Sequence, residues 1–335
     1  MRNKVNIIIP SITISNELVK CLKGINLLNY KKFIVSIVID YDNKKKLPKF
    51  NFEIKKIIVG KVFMARKRNL AVKKISTEYI AFIDSDCYPC KNWLNNAIKY
   101  LKDESIHVIG GPNIPFKNIS YSEKITSFCK RSFFISGNLS YRKHKSPQKY
   151  CEDYLESCNL IMKRSTFLNC KGMDEKLYIA EDKELFKNFR IRIKKFKALF
   201  SPDVYVYHKQ RKILKFLLQR LAFGTILIKL GNFKDGLNGL LPILPILSFF
   251  ILLLFLSSSL ILTIKLSFIV GIFILINFLI FYEMNKFIIK FKDKVVTLLI
   301  INLANLMHIA GGLITLFGFR RVFERKIYVL SRSNE

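Results

Sequence analysis

Two carboxylates one residue apart, Asp84 and Asp86, stand directly after the apolar run Tyr79-Ile80-Ala81-Phe82-Ile83. At a strand end such a pair points into one cleft, where its like charges repel unless a cation lies between them. Mg2+ and Mn2+ take oxygen ligands of this kind and usually share them with a substrate's phosphates. Taken alone, Asp84-Ser85-Asp86 reads equally as a polar turn whose carboxylates accept local backbone N–H groups. A second acidic pair, Glu181-Asp182, opens a helical stretch over Lys183 to Phe189. A carboxylate there can act as a general base toward an attacking hydroxyl. Two acids in a first helical turn also favour the helix dipole without any catalysis. Cys87 and Cys90 have Cys-x-x-Cys spacing, but no second cysteine pair accompanies them, so neither zinc nor a redox pair is expected.

The elements that must carry these residues alternate. Val5 to Pro10 is a continuous apolar run ending at a proline, as in a buried parallel strand. Glu17 to Leu28 follows with apolar residues at helical spacing. Phe33 to Ile39 and Lys55 to Val59 are β-branched strands, Ala65 to Ile75 is helical, and Tyr79 to Ile83 is a fourth strand. This alternation predicts an α/β domain with a mostly parallel sheet and helices on its faces. Ligands of such sheets collect beyond the carboxyl ends of the strands, where the pattern places Asp40, Asp84 and Asp86.

Residues 67–94 combine Lys67-Arg68-Asn69-Leu70-Ala71, the strand, Asp84-Ser85-Asp86-Cys87-Tyr88-Pro89 and Trp93-Leu94. This stretch closely resembles family 2 glycosyltransferases, inverting nucleotide-sugar enzymes with a GT-A fold. Further segments fall in the family's order: Gly110-Gly111-Pro112-Asn113, Ser157-Cys158-Asn159-Leu160, Gly172-Met173-Asp174-Glu175, Glu181-Asp182 with Leu185, Val206-Tyr207-His208, and Gln219-Arg220. The resemblance covers about residues 5 to 225. It implies that Pro10, Asp40, Lys67, Arg68, Asn69 and Asp84 bind the nucleotide-sugar, and that Asp86, with Asp84 and His208, holds a divalent cation, Mg2+ or Mn2+. Asn159, Asp174, Gln219 and Arg220 would lie on the acceptor side. Asp182 would be the catalytic base, with Glu181 the runner-up. The chain departs from the family at Ser11-Ile12-Thr13-Ile14, at Asp40-Tyr41-Asp42-Asn43, and in lacking a tryptophan after Gln219-Arg220.

Beyond Gly236 the character changes. Leu237 to Ile264, Leu266 to Tyr282 and Val295 to Phe319 carry no charge except Lys265 between the first two. Runs of this length predict membrane spans over about 238–257, 260–282 and 295–319. Pro242, Pro245 and Gly311-Gly312 mark the first and third as candidates for broken or interfacial helices, and His308 is either a functional group or a helix–helix contact. The expected division is a GT-A domain over 1–225 and an interfacial and transmembrane region over 226–335. Lys286, Lys290, Lys292 and Lys294 place their connector, and with it the catalytic domain, on the cytoplasmic face of the cell membrane in a multi-pass arrangement. Among the 335 residues, 57 Lys and Arg against 24 Asp and Glu give a net charge of +33. Without a nucleic-acid-binding module, and beside membrane spans, that charge points to lipid headgroups and phosphates and to no nucleic-acid partner. Seven irregularly spaced cysteines exclude a disulfide framework and favour a reducing compartment. The expected function is metal-dependent, inverting sugar transfer from a nucleotide-diphosphate sugar to a surface polysaccharide or lipid-linked glycan. The alternatives are a polyprenyl-phosphate glycosyltransferase and an inactive scaffold of a polysaccharide assembly complex.

Overall fold

A computed structural model describes residues 3–151, 153–227 and 262–316. The chain forms two compact units, one of residues 1–117 and 141–209, the other of 118–140 and the described part of 210–334.

The first unit begins β1 (Val5–Pro10), α1 (Asn16–Asn26), β2 (Phe33–Ile39), β3 (Ile54–Ile58), α2 (Met64–Lys74), β4 (Tyr79–Ile83). It continues with β5 (Cys87–Pro89), α3 (Trp93–Leu101), β6 (Val108–Gly110) and β7 (Asn113–Ile114). In the second unit lie α4 (Tyr121–Arg131) and α5 (Phe133–Ser136). The first unit resumes with β8 (Lys149–Tyr150), β9 (Asn159–Lys163), α6 (Arg164–Asn169), α7 (Glu181–Arg192), β10 (Ala198–Phe200) and β11 (Val206–His208). The second is completed by α8 (Ile213–Leu227), α9 (Leu262–Met284) and α10 (Phe291–Leu316).

Among the described residues the main sheet has the order β3-β2-β1-β4-β9-β6-β10-β8, and a smaller sheet the order β5-β11-β7. The first four strands are parallel, and β9 runs antiparallel between β4 and β6. β1, β2 and β4 are buried throughout, as strands covered on both faces must be. Alternate side chains feed two cores. Ile7 and Ile9 join Leu18, Leu22, Trp93 and Leu94 on one face, and Ile8 joins Val72, Phe167, Leu185 and Phe186 on the other. The order of strands reverses between β1 and β4, so the crevice beyond Pro10 and Ile83 is the switch point at which such sheets bind ligands.

The helical unit contains α4 because its apolar face, Ile125 and Cys129, packs with Phe216, Leu217, Ile301 and Ala304. A capping box between Ser120 and Glu123 starts α4. The Glu283 carboxylate at the end of α9 accepts from Ser132 Oγ (2.6 Å) and Phe133 N (2.7 Å), and Lys124 pairs with Asp293 at 2.7 Å. α8 and α10 approach closely through glycines: a β-carbon on Gly224 would lie 1.9 Å from the His308 carbonyl oxygen, and one on Gly311 would lie 2.1 Å from that of Leu221. The His308 ring is buried in this contact, with Nδ1 3.1 Å from the Arg220 carbonyl oxygen, so it serves the helix–helix packing. The helical unit resumes at residue 210, because α8 packs along α10. Among the described residues one helix, Phe291–Ile314, is long and apolar enough to cross a membrane, and Val270–Met284 is apolar but shorter. The run expected over 238–257 lies outside the described residues.

Candidate active site

Three consecutive residues of α2 organise the crevice. Lys67, Arg68 and Asn69 are all buried although a helix turns about 100° between neighbours, so they reach three different walls. Lys67 Nζ lies 2.6 Å from Asp40 Oδ1 at the end of β2 and donates to the Ser11 carbonyl after β1. A fully buried ammonium requires such partners. Arg68 is 2% exposed and bridges two carboxylates, Nη2 to Asp84 Oδ1 at 2.7 Å and Nη1 to Glu181 Oε1 at 3.0 Å. The planar guanidinium fork suits that double duty. Asn69 donates to the Met173 carbonyl (2.8 Å) and Glu175 Oε1 (3.0 Å) and accepts from Met173 N (3.0 Å). It thereby clamps the Gly172–Glu175 turn.

Asp84 and Asp86 follow β4 at the switch point, and His208 ends β11. His208 Nε2 is 3.3 Å from Asp86 Oδ1. One ligand atom each from Asp84, Asp86 and His208 lie within 4.8 Å of one another. Two carboxylate oxygens and one imidazole nitrogen fit a manganese-class ion and leave room for phosphate oxygens.

Glu181 and Asp182 open α7, but their situations differ. Glu181 is paired with Arg68. Asp182 accepts from Ser157 N at 3.3 Å and Lys183 N at 3.0 Å. Burial pushes its carboxyl up to about 7, and the negative charges of Glu181 and Glu156 add to the effect while Arg142 opposes it. A carboxylate poised near neutrality is the state general-base work needs. Glu156 is held by Lys143 (2.7 Å), Arg142 (3.7 Å) and Asn113, and these cations keep it well below the usual carboxylate range despite burial. The residue before Glu181, Ala180, has φ +62°, a left-handed backbone that a non-glycine residue adopts at a cost.

Sequence reasoning brought Asp40, Lys67, Arg68, Asp84, Asp86, His208, Glu181 and Asp182 to this crevice, with Pro10 at the end of β1. Other expected site residues take other positions. Asn159 is buried and accepts from the Trp93 indole (2.8 Å) while donating to the Val204 carbonyl (2.8 Å), tying α3 to the loop before β11. Asp174 is exposed and accepts from Lys176 N at 2.9 Å. Gln219 and Arg220 belong to the helical unit, where Arg220 donates to the Ile135 carbonyl at 3.4 Å. Sequence reasoning did not single out Arg142 or Glu156, and it read Lys143 only as the start of a basic face over Lys143 to Lys149.

A model of the family described as "Glycosyltransferase like family 2" matches residues 50–227. The pre-mycofactocin glycosyltransferase of Mycobacterium tuberculosis is 24% identical over 160 residues, 48% of this chain and 33% of that protein. The chain thus matches about a third of the length of that curated relative. Among solved structures, the mannosyltransferase PcManGT from Pyrobaculum calidifontis, in complex with GDP-Man and Mn2+, superposes with a TM-score of 0.59 at 14% identity. That match covers 93% of this chain and 87% of the other, a likeness of fold. S. aureus TarS matches with a TM-score of 0.44 at 16% identity, covering 67% and 40%. The sheet is the mostly parallel α/β sheet of GT-A enzymes, and the chain belongs to the family 2 glycosyltransferases.

Proposed function

We propose that the protein transfers a sugar from a nucleotide-diphosphate donor to a hydroxyl of a glycan or lipid-linked acceptor, with a divalent cation and with inversion at the anomeric carbon. The observation that carries this reading is Arg68, which ties Asp84 on the donor side to Glu181, the neighbour of Asp182, whose carboxyl burial raises toward neutrality. Asp86 and His208, with Asp84 beside them, would hold Mn2+ or Mg2+, whose charge stabilises the leaving diphosphate. Asp40, fixed by Lys67, faces the nucleotide from the end of β2. Asp182 takes the proton of the acceptor hydroxyl as its oxygen attacks C1 opposite the diphosphate. The new C–O bond forms as the bond to phosphate breaks, and the nucleoside diphosphate leaves with the electron pair. Arg68 holds Glu181 so that its charge keeps Asp182 basic without approaching the donor.

Membrane attachment through the helical unit is part of the proposal. Its support is the candidate span Phe291–Ile314 and the exposed apolar side chains Phe273, Ile274, Phe278, Leu299 and Leu306. A catalytic unit on the cytoplasmic face fits the lysines between α9 and α10. Detergent-purified protein screened against a panel of nucleotide-sugars should release nucleoside diphosphate from one of them, faster with Mn2+ than with chelator. Asp86→Ala should abolish the metal stimulation. Equal release in chelator, or an unaffected Asp86→Ala, would refute the metal assignment.

A further inference from the structure

Cys87 has a sulfur neighbour that its Cys-x-x-Cys spacing does not suggest. It opens β5 directly across from His208 on β11, and Cys158 immediately precedes Asn159, which pairs with Ile83 at the end of β4. The two sulfurs and a ring nitrogen of His208 lie within 4.8 Å of one another. Both thiols are free and nearly sealed from solvent, at 2% and 6% exposure. Asp86 Oδ1 lies 3.3 Å from His208 Nε2 and 4.0 Å from Cys87 Sγ. Two sulfurs and one nitrogen therefore converge from strand ends, with the Asp86 carboxylate in a second group that shares His208. Tetrahedral zinc, with bonds of about 2.0–2.3 Å, spaces its ligand atoms roughly 3.4–3.8 Å apart, so the triad has to close by at most about 1.4 Å.

We propose that Cys87, Cys158 and His208 form a site for a soft divalent ion of the zinc or cadmium class. Thiolates select such ions over Mg2+ and Mn2+. On binding, both thiols release their protons to solvent and the two thiolates balance the ion's charge. The ion engages His208, which the oxygen-rich site also uses, so the two sites compete for that ring. A soft ion entering from the His208 side thus withdraws the imidazole from the donor's cation. Ion binding itself is independent of the proposed function; the inhibitory consequence rests on it.

The test uses full-length, detergent-purified protein kept reduced with a phosphine and titrated with Cd2+. Thiolate-to-cadmium charge-transfer absorption should rise and saturate at one equivalent per chain. Cys87→Ser and Cys158→Ser should each lose the band, with affinity falling by more than the roughly 10- to 100-fold that loss of a ligand's supporting hydrogen bond costs. Cys90→Ser should retain it. Circular dichroism verifies that each variant is folded, and two independent cysteine variants keep the result interpretable if one is not. Cd2+ should also suppress Mn2+-stimulated donor binding in the native chain and spare it in Cys87→Ser. A native chain with titratable thiols and no band, or a band that survives in both cysteine variants, overturns the site. If the band behaves as expected but Mn2+ never stimulates donor binding, the soft site stands and the donor assignment falls.

Discussion

Lowering the pH from 8 to 6 should switch this enzyme off through Asp182. As the proposed base, Asp182 works when deprotonated, and in the folded chain burial, Glu181 and Glu156 raise its carboxyl to about 7. One unit above that value about 90% of the base is available and one unit below about 10%, so kcat/KM should fall roughly tenfold across the interval. An ordinary aspartate, ionised throughout that range, would give a flat profile. Glu156→Gln removes one of the charges that raise Asp182 and leaves Arg142 unopposed, so the acid limb should move to lower pH by about one unit. Asp182→Asn should cost about 10²- to 10⁴-fold in turnover and abolish the limb, with donor affinity little changed. The assay is nucleoside diphosphate release at saturating metal, with donor affinity measured at each pH. A limb that stays in place in Glu156→Gln, or persists in Asp182→Asn, would refute the reasoning. Loss of donor affinity over the same interval would move the titration to the metal ligands. Stability runs the opposite way. A carboxyl raised on folding stabilises fully below its unfolded value, and that contribution is lost as pH rises through about 7. At pH 8 Asp182→Asn should therefore unfold at a higher temperature than the native chain while being far less active.

Arg68→Met strands Asp84 and Glu181 without their shared cation and should destabilise the catalytic unit by about 3–5 kcal/mol, read from its denaturant midpoint. Arg68→Lys keeps the charge but cannot span both carboxylates, so turnover should fall while the fold survives. Ala180→Gly relieves the positive φ before the acidic pair and should raise stability by about 1 kcal/mol in thermal unfolding; a lower melting point would contradict the strain. Gly224→Ala places a β-carbon against the His308 carbonyl and should cost about 1–3 kcal/mol, visible as faster proteolysis within α8; unchanged cleavage would count against the close crossing.

The strands that carry the site were legible because a buried parallel strand is a short apolar run with hard stops, and β1, β2 and β4 have the bounds their runs predict. The acidic residues at their ends followed from topology. What each basic residue of α2 does was not legible, since its partners are distant in sequence. Asn69 reads as a donor-binding residue beside Lys67 and Arg68, yet it grips a turn more than a hundred residues away. The orientation of Asn159 was not legible for the same reason: the family motif locates the residue, but the Trp93 indole decides where its amide points. The position of α4 was invisible because its apolar stripe matches the soluble core as well as it matches another helix. Only the pairing of Ile125 and Cys129 with Phe216 and Ile301 distinguishes them.

That placement of α4 bears on how the protein is made. The ribosome delivers residues 118–140 before β8 to β11, and well before α8 and α10, with which they pack. At about 5–20 residues per second, the stretch from α4 to the start of α10 takes roughly 10–30 s to synthesise. Throughout that interval Ile125 and Cys129 have no completed partner surface, while the strands on either side of the insertion must find one another across it. The nascent chain therefore has to form its sheet around a waiting apolar segment, and the helical unit closes only once α10 has been made. A chain ending at Gly236 would never reach that closure, since α4 and α8 would remain and α10 would be missing. Such a truncation would leave an unfinished unit attached to the catalytic one, with the sticky behaviour of an interrupted folding intermediate.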